Sequence, residues 1–141
     1  MTTTSPVTAV RAAAPVAAVA HFGSLLAFET DCWDVHAALT AAAPGPPDFV
    51  LLDVQSPESF AKGHVPGAVN LPHGRIVDAN LTSYAEGTLF VVYCAGPHCN
   101  GADKAALRLA RLGRPVKKMI GGIEGWKDEG FSLESAISCA P

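Results

Sequence analysis

The sequence predicts an α/β domain whose sheet is mostly parallel and covered by helices on both faces. Three observations predict it. Short apolar runs at 49–54, 68–71, 89–93 and 116–120 have the length of strands. Stretches with helix-start signals or helical spacing of apolar residues lie between them, so strands and helices alternate. The run 89–93, Leu-Phe-Val-Val-Tyr, has no polar alternation, which suits a strand buried on both faces.

Taken in order, residues 1–6 are Thr/Ser-rich and read as a frayed start. Residues 7–22 are mostly Ala and Val and read as a helix broken near Pro15, with Gly23 as punctuation and 25–29 as a short edge strand. Asp31 suits an N-cap for a helix carrying Trp33, Val35, Ala38 and Leu39. Cys32 and His36 on that helix read as packing or surface residues. Pro44-Gly45-Pro46-Pro47 is a turn. After the strand 49–54, Ser56-Pro57-Glu58 marks a helix start: a cap, a proline at the first position and an acid in the first turn. Gly63 stops that helix, 64–67 turns, and the strand 68–71 leads into Pro72-His73-Gly74-Arg75. Residues 76–87 read as loop or irregular helix. The strand 89–93 ends at Cys94, and a Gly/Pro-bearing loop leads to a helix over 102–112 with Ala105, Ala106, Leu109 and Leu112 at helical spacing. Gly113-Arg114-Pro115 ends it. The strand 116–120, a turn at Gly121-Gly122 and a short helix over 123–129 follow. The expected organisation is an N-terminal extension, partly helical, over 1–22, a domain over 23–132 and a tail over 133–141 that holds Cys139, an exposed bystander.

The chain has 141 residues and a formal net charge of −3, which suggests neither nucleic acid nor an acidic membrane as partner. No run of about 20 apolar residues marks a transmembrane helix. The Ala/Val stretch after Arg11 is interrupted by Pro15, and the segment before it is not basic, so the pattern of a secretory leader is incomplete and a cytoplasmic protein is expected. The spacing of the four cysteines, Cys32, Cys94, Cys99 and Cys139, does not suggest a disulfide framework, although Cys94 and Cys99 are placed to form a pair within one loop. His98 with Cys94 and Cys99 amounts to half a zinc site without a second ligand pair, so no metal and no other cofactor is expected.

Cys94 is the candidate reactive residue. The C-terminal edge of a parallel sheet is where ligands bind, and a loop entering a helix points backbone N–H groups at that edge. A thiol there ionises more easily than a free one. The alternative is a small core hydrophobe closing a buried strand.

Two further stretches carry a family resemblance. Residues 51–72, containing Leu51-Leu52-Asp53-Val54-Gln55-Ser56-Pro57-Glu58 and His64-Val65-Pro66-Gly67-Ala68, resemble the N-terminal signature of the rhodanese (sulfurtransferase) family. Gly121-Gly122-Ile123-Glu124-Gly125-Trp126 is similar to its C-terminal signature, and Cys94 stands at its active-site position. The resemblance implies a rhodanese-like domain with a five-stranded sheet. It implies that Asp53, Glu58 and His64 fix a turn by hydrogen bonds. Gly67 serves backbone geometry, Gly121 and Gly122 let a loop pass close to the site, and Trp126 anchors the core. It also implies that the Cys94 thiolate takes the outer sulfur of a small donor (thiosulfate, a thiosulfonate, a persulfide or a polysulfide) as a persulfide. Cyanide or a thiol then removes it. The loop Ala95, Gly96, His98, Cys99, Asn100 and Gly101 would hold the anion.

The sequence departs from the family in three respects. Gln55 stands where an Arg is usual, the active-site loop is longer, and no basic residue lies between Cys94 and Gly101. Losing that cation removes a bidentate fork for phosphate or sulfonate and weakens a phosphatase or arsenate-reductase reading. Arg75 and His98 are candidate replacements; Lys104, one turn into its helix, points to solvent. Cys99 has two readings: a resolving thiol for a Cys94 persulfide, or a residue filling space where loop meets helix, which the sequence favours. Beside the enzyme stands a non-enzymatic alternative, a binding or redox- and sulfur-sensing module of the same fold.

Overall fold

The computed structural model describes residues 4–135. It contains a five-stranded, all-parallel sheet in the order β1-β5-β4-β2-β3. The chain runs α1 (Pro15–Phe28), β1 (Glu29–Thr30), α2 (Cys32–Ala42), β2 (Val50–Asp53), α3 (Pro57–Lys62), β3 (Val69–Asn70), two single 3-10 turns (His73–Arg75 and Asp78–Asn80), β4 (Phe90–Tyr93), α4 (Gly101–Arg111), β5 (Val116–Met119) and α5 (Gly122–Asp128). Cys139 lies outside the described residues. Among the described residues no helix is long and apolar enough to cross a membrane.

Strand alternation divides the core into two. Successive side chains of a strand point to opposite faces, so Leu52 with Phe90, Val92 and Cys94 packs on one face against Ala102, Ala105 and Leu109 of α4. Leu51, Val91 and Tyr93 pack on the other, against Cys32 and Val35 of α2 and Ile123 and Trp126 of α5. All four residues of β4 are buried, as the central position in the sheet requires. The caps follow sequence chemistry. The Asp31 side chain accepts from the Asp34 N–H at 2.8 Å, and Ser56 Oγ accepts from the Ser59 N–H at 3.2 Å, with Pro57 at the first helical position.

The N-terminal region differs from expectation. Pro15 begins α1 instead of breaking it, because proline's missing N–H costs nothing in a first turn. The helix then runs through Gly23 to Phe28, and β1 shrinks to Glu29–Thr30. No residue of α1 is buried, and Val16, Val19, Phe22, Leu26 and Phe28 are exposed. At the other end, the tail returns: the backbones of His64 and Glu134 exchange N–H···O bonds, each 2.9 Å.

The first signature motif is a hydrogen-bonded knot around a buried carboxylate. Asp53 is fully buried and accepts from the Gln55 N–H at 2.9 Å and from Gln55 Nε2 at 2.9 and 3.1 Å. The Tyr93 hydroxyl also donates to it, while accepting from the Val65 N–H at 3.1 Å. His64 Nδ1 lies 2.8 Å from the Phe60 carbonyl, and its ring stacks on Phe60 at 3.8 Å. Gly67 has φ +86°, a left-handed turn position. Glu58 corrects the expectation: it is exposed in the first turn of α3, and its side chain makes no hydrogen bond among the described residues. A short helix begins there, so its acid complements the helix end and does not reach the turn.

Burial raises the Asp53 carboxyl above its ordinary value, against the opposing pull of the Gln55 and Tyr93 donors. A folded-state value above the unfolded one favours the native state below the unfolded pKa. That contribution is lost as pH rises through the folded value. Supplying a cation should reverse this loss. Gln55→Arg is expected to gain stability relative to wild type progressively between mildly acidic and neutral pH, read by urea unfolding at several pH values. A difference independent of pH would show that the new Arg leaves Asp53 untouched.

Candidate active site

Cys94 follows β4 at its C-terminal tip and is 7% exposed. Its position on the α4 face follows from strand parity with Phe90 and Val92. The backbone around it is pinned from the opposite side. The Ile123 N–H donates to the Cys94 carbonyl at 3.1 Å, and the Glu124 N–H donates to the Ala95 carbonyl at 2.9 Å. This approach requires Gly122, whose φ is +58°. A Cβ there would overlap the Cys94 carbonyl oxygen and lie 2.9 Å from the Gly96 nitrogen. Gly121, at φ +89°, makes the turn into it.

The loop then bends back. The Cys99 N–H donates to the Gly96 carbonyl at 3.0 Å, and Cys94 and Cys99 are joined by a disulfide with their Cα atoms 6.4 Å apart. The sequence favoured Cys99 as a space-filler; the structure pairs it with Cys94. Gly101 opens α4 beneath the two sulfurs, and its N–H points at Cys99 Sγ at 3.4 Å. The N–H groups of Ala95, Gly96, His98 and Asn100 have no acceptor among the described residues.

A cavity of about 230 Å³ opens over the sulfurs, lined by Cys94, Gly96, Pro97, Cys99, Lys118 and Gly122 among others. Lys118 is the cation that sequence reading missed. It lies beside Val92 in the β4–β5 register, so its side chain falls on the same face as Cys94. Its Nζ pairs with Asp103 Oδ1 of α4 at 2.9 Å, and its side chain is 29% exposed. The available signal was Lys117-Lys118 inside a short strand of a parallel sheet, where apolar residues are the rule.

The expected cations sit elsewhere. Arg75 is exposed on the 3-10 turn after β3 and does not line this cavity. The turn that carries it packs against α4 through His73, which leaves Arg75 facing solvent. His98 is exposed and lies over Gly96, its Cε1 3.3 Å from the place of a Gly96 Cβ. Asn100 is exposed as well, and Ala95 packs against the α4-side core. His73, by contrast, approaches: its Cδ2 is 3.5 Å from the place of a Gly101 Cβ, with Cys94 Sγ at 2.9 Å from the same point. Its buried Nδ1 has no hydrogen-bond partner among the described residues, and it borders a separate cleft with Lys104, Arg108 and Arg111.

Cys32 is poorly placed to act as a nucleophile, being buried in the α2–α5 core. Burial first, then the carboxylates of Asp31, Glu129 and Asp128, push its thiol up to about 11. Its Sγ rests 3.6 Å from the carbonyls of Ile120 and Gly122. Trp126 is buried and donates Nε1–H to the Ser132 carbonyl at 3.0 Å.

Comparison with known proteins agrees with this architecture. Residues 36–129 match the Rhodanese-like domain family. The BH2092 protein of Bacillus halodurans superposes with a TM-score of 0.81 at 32% identity, covering 87% of this chain and 88% of that one. The rhodanese-like domain of the Alr3790 protein from Anabaena sp. gives a TM-score of 0.66 at 28% identity over 80% of this chain and 83% of that one. Among curated relatives, the HTH-type transcriptional regulator Rv0324 of Mycobacterium tuberculosis is 36% identical over 90 residues, 62% of this chain and 38% of that protein. The protein slr1261 of Synechocystis sp. is 32% identical over 82 residues, 58% of this chain and 45% of that protein. The chain thus spans less than half the length of these curated relatives. With its signature residues placed around a strand-tip cysteine in a five-stranded parallel sheet, the chain belongs to the rhodanese-like domain family.

Proposed function

We propose that the protein is a sulfurtransferase that carries a sulfane sulfur on Cys94. The observation that supports this best is the position of Cys94. Cys94 lines a small cavity at the start of α4 together with the Lys118–Asp103 ion pair, and loop amides beside it have no acceptor among the described residues. In the reduced protein the Cys94 thiolate attacks the outer sulfur of the donor. The donor's remainder leaves as an anion, sulfite from thiosulfate or a sulfinate from a thiosulfonate, and a persulfide stays on Cys94. Cyanide or an acceptor thiol attacks the terminal sulfur and restores the thiolate. The loop amides and Lys118 stabilise negative charge on donor and persulfide. The test is thiocyanate formation from thiosulfate and from benzenethiosulfonate, with peptide mapping of the loaded protein. With cyanide in excess, repeated turnover is expected, and in the Cys99→Ser chain, where no second thiol competes for it, the added sulfur maps to Cys94.

A second reading, a sulfur- or redox-sensing module, is favoured by the Cys94–Cys99 disulfide and by the similarity to part of a transcriptional regulator. Turnover separates the two, because a sensor forms its adduct once and stops.

Lys118 substitutes for the absent loop Arg in this proposal. Lys118→Met is expected to raise KM for thiosulfate roughly tenfold, the equivalent of about 1.4 kcal/mol for one partly exposed charged contact. Lys118→Arg should restore binding. The Asp103 pair is solvent-facing, so its loss changes stability by no more than about 1 kcal/mol. A KM for thiosulfate that is unchanged in Lys118→Met would remove Lys118 from the site.

A further inference from the structure

We propose that Cys99 gives this site a second outcome: it expels the sulfur held on Cys94 as sulfide, making the chain a dithiol-dependent reductase of sulfane sulfur. The inference rests on the sulfurtransferase reading for the loading step and departs from it in the product.

Five features of the loop support it. The Cα atoms of Cys94 and Cys99 stand 6.4 Å apart, within the span of about 4.4–6.8 Å that a disulfide bridges. The Cys99 N–H to Gly96 carbonyl bond closes the turn that brings the second sulfur back over the first. Gly101 leaves the room in which they meet: a Cβ there would lie 2.9 Å from Cys94 Sγ and 3.4 Å from Cys99 Sγ. The Gly101 N–H, at the start of the 11-residue helix α4, is aimed at Cys99 Sγ, where it stabilises a thiolate. The segment carrying Cys94 is meanwhile held by the backbone bonds to Ile123 and Glu124, so the nucleophile's target stays in place.

The contact is between the two Sγ atoms, and this selects the chemistry. Cys99 thiolate attacks the inner sulfur of the persulfide, Cys94 Sγ. The Cys94–Cys99 bond forms, the bond to the terminal sulfur breaks, and that sulfur leaves with the electron pair as hydrosulfide, taking up the proton released from the Cys99 thiol. The two cysteines are oxidised and the sulfane sulfur is reduced. Attack on the terminal sulfur would instead move the persulfide to Cys99 without releasing anything. A dithiol reductant then reduces the disulfide by exchange and is itself oxidised. A thiol tethered five residues away has an effective concentration in the millimolar range or above, so it outcompetes dilute external acceptors.

The experiment is a single loading of the reduced full chain, freed of reductant, with thiosulfate and separately with benzenethiosulfonate, neither of which carries sulfide. Released sulfide and the intact mass are followed together. Wild type is expected to release one sulfide per loaded chain and to end lighter by two hydrogens, with Cys94 linked to Cys99. Cys99→Ser is expected to lose the sulfide burst and keep the mass of one added sulfur until cyanide removes it as thiocyanate. Gly101→Ala, which crowds both sulfurs, should slow the burst. A wild type that keeps its added sulfur and releases no sulfide overturns the inference and leaves the sulfurtransferase reading standing, as does a Cys99→Ser chain that releases sulfide like wild type. A wild type that takes up sulfur from neither donor overturns both readings.

Discussion

Replacing Cys94 with serine is expected to lower sulfur transfer to cyanide by on the order of 10³-fold or more, the scale on which loss of a nucleophile is felt. The hydroxyl nearly matches the thiol in size, so the buried strand tip stays packed. Serine, however, is a far poorer nucleophile at neutral pH and holds no persulfide. The stability cost is limited to one polar atom in a position only 7% exposed, about 1–3 kcal/mol. Thiocyanate formation reads the activity, and a thermal melt shows that the variant is folded. The comparison with Cys99→Ser assigns the nucleophile. If Cys94→Ser kept its transfer while Cys99→Ser lost it, the reactive thiol would be Cys99, and the placement at the tip of β4 would have no catalytic meaning.

Gly122→Ala is expected to have the largest effect of any methyl added to this chain. The residue sits at φ +58°, where a side chain costs about 1–2 kcal/mol, and its Cβ would overlap the Cys94 carbonyl. The Gly96 nitrogen at 2.9 Å and the Ala95 carbonyl carbon at 3.0 Å close the remaining space. These neighbours are backbone, so no side chain can rotate away, and overpacking adds about 1–3 kcal/mol. A total of about 2–5 kcal/mol corresponds to a fall in Tm on the order of 10 °C for a chain of this length. Gly67→Ala is the control: its φ of +86° carries the same backbone cost, but nothing lies within 4 Å of its Cβ. Sulfur transfer should fall further in Gly122→Ala than stability explains, because lifting the loop from α5 breaks the Ile123 and Glu124 bonds that hold Cys94. Equal losses in the two variants would mean that close backbone approach at Gly122 does not matter.

Local chemistry was legible residue by residue. Asp31 and Ser56 cap the helices that their side chains favour, and the short runs at 50–53 and 90–93, together rich in β-branched and aromatic residues, are strands of the length such runs allow. The misreadings occurred where a local rule had two outcomes. Pro15 ends a helix or begins one, and only the missing structure upstream of it decides; here it begins α1. Glu58 in a helix's first turn serves either the helix end or a neighbouring turn, and α3 leaves it in solvent.

The candidate site divides in the same way. Cys94 at the end of an unbroken apolar run, the loop behind it and the double glycine at 121–122 are all visible in the one-dimensional chain, because each records a constraint acting within a few residues. Sheet order is not such a constraint. That β5 lies beside β4 brings Lys118 to the cavity, and this is settled by packing among strands far apart in sequence. The pairing of Cys94 with Cys99 is of the same kind. Spacing allowed the two sulfurs to meet, but the bend at Gly96 and the space left by Gly101 decided that they do. Short-range stereochemistry therefore determined where a reactive cysteine could stand, and the tertiary structure decided what stands around it, because contacts between distant segments depend on the packing of the whole sheet.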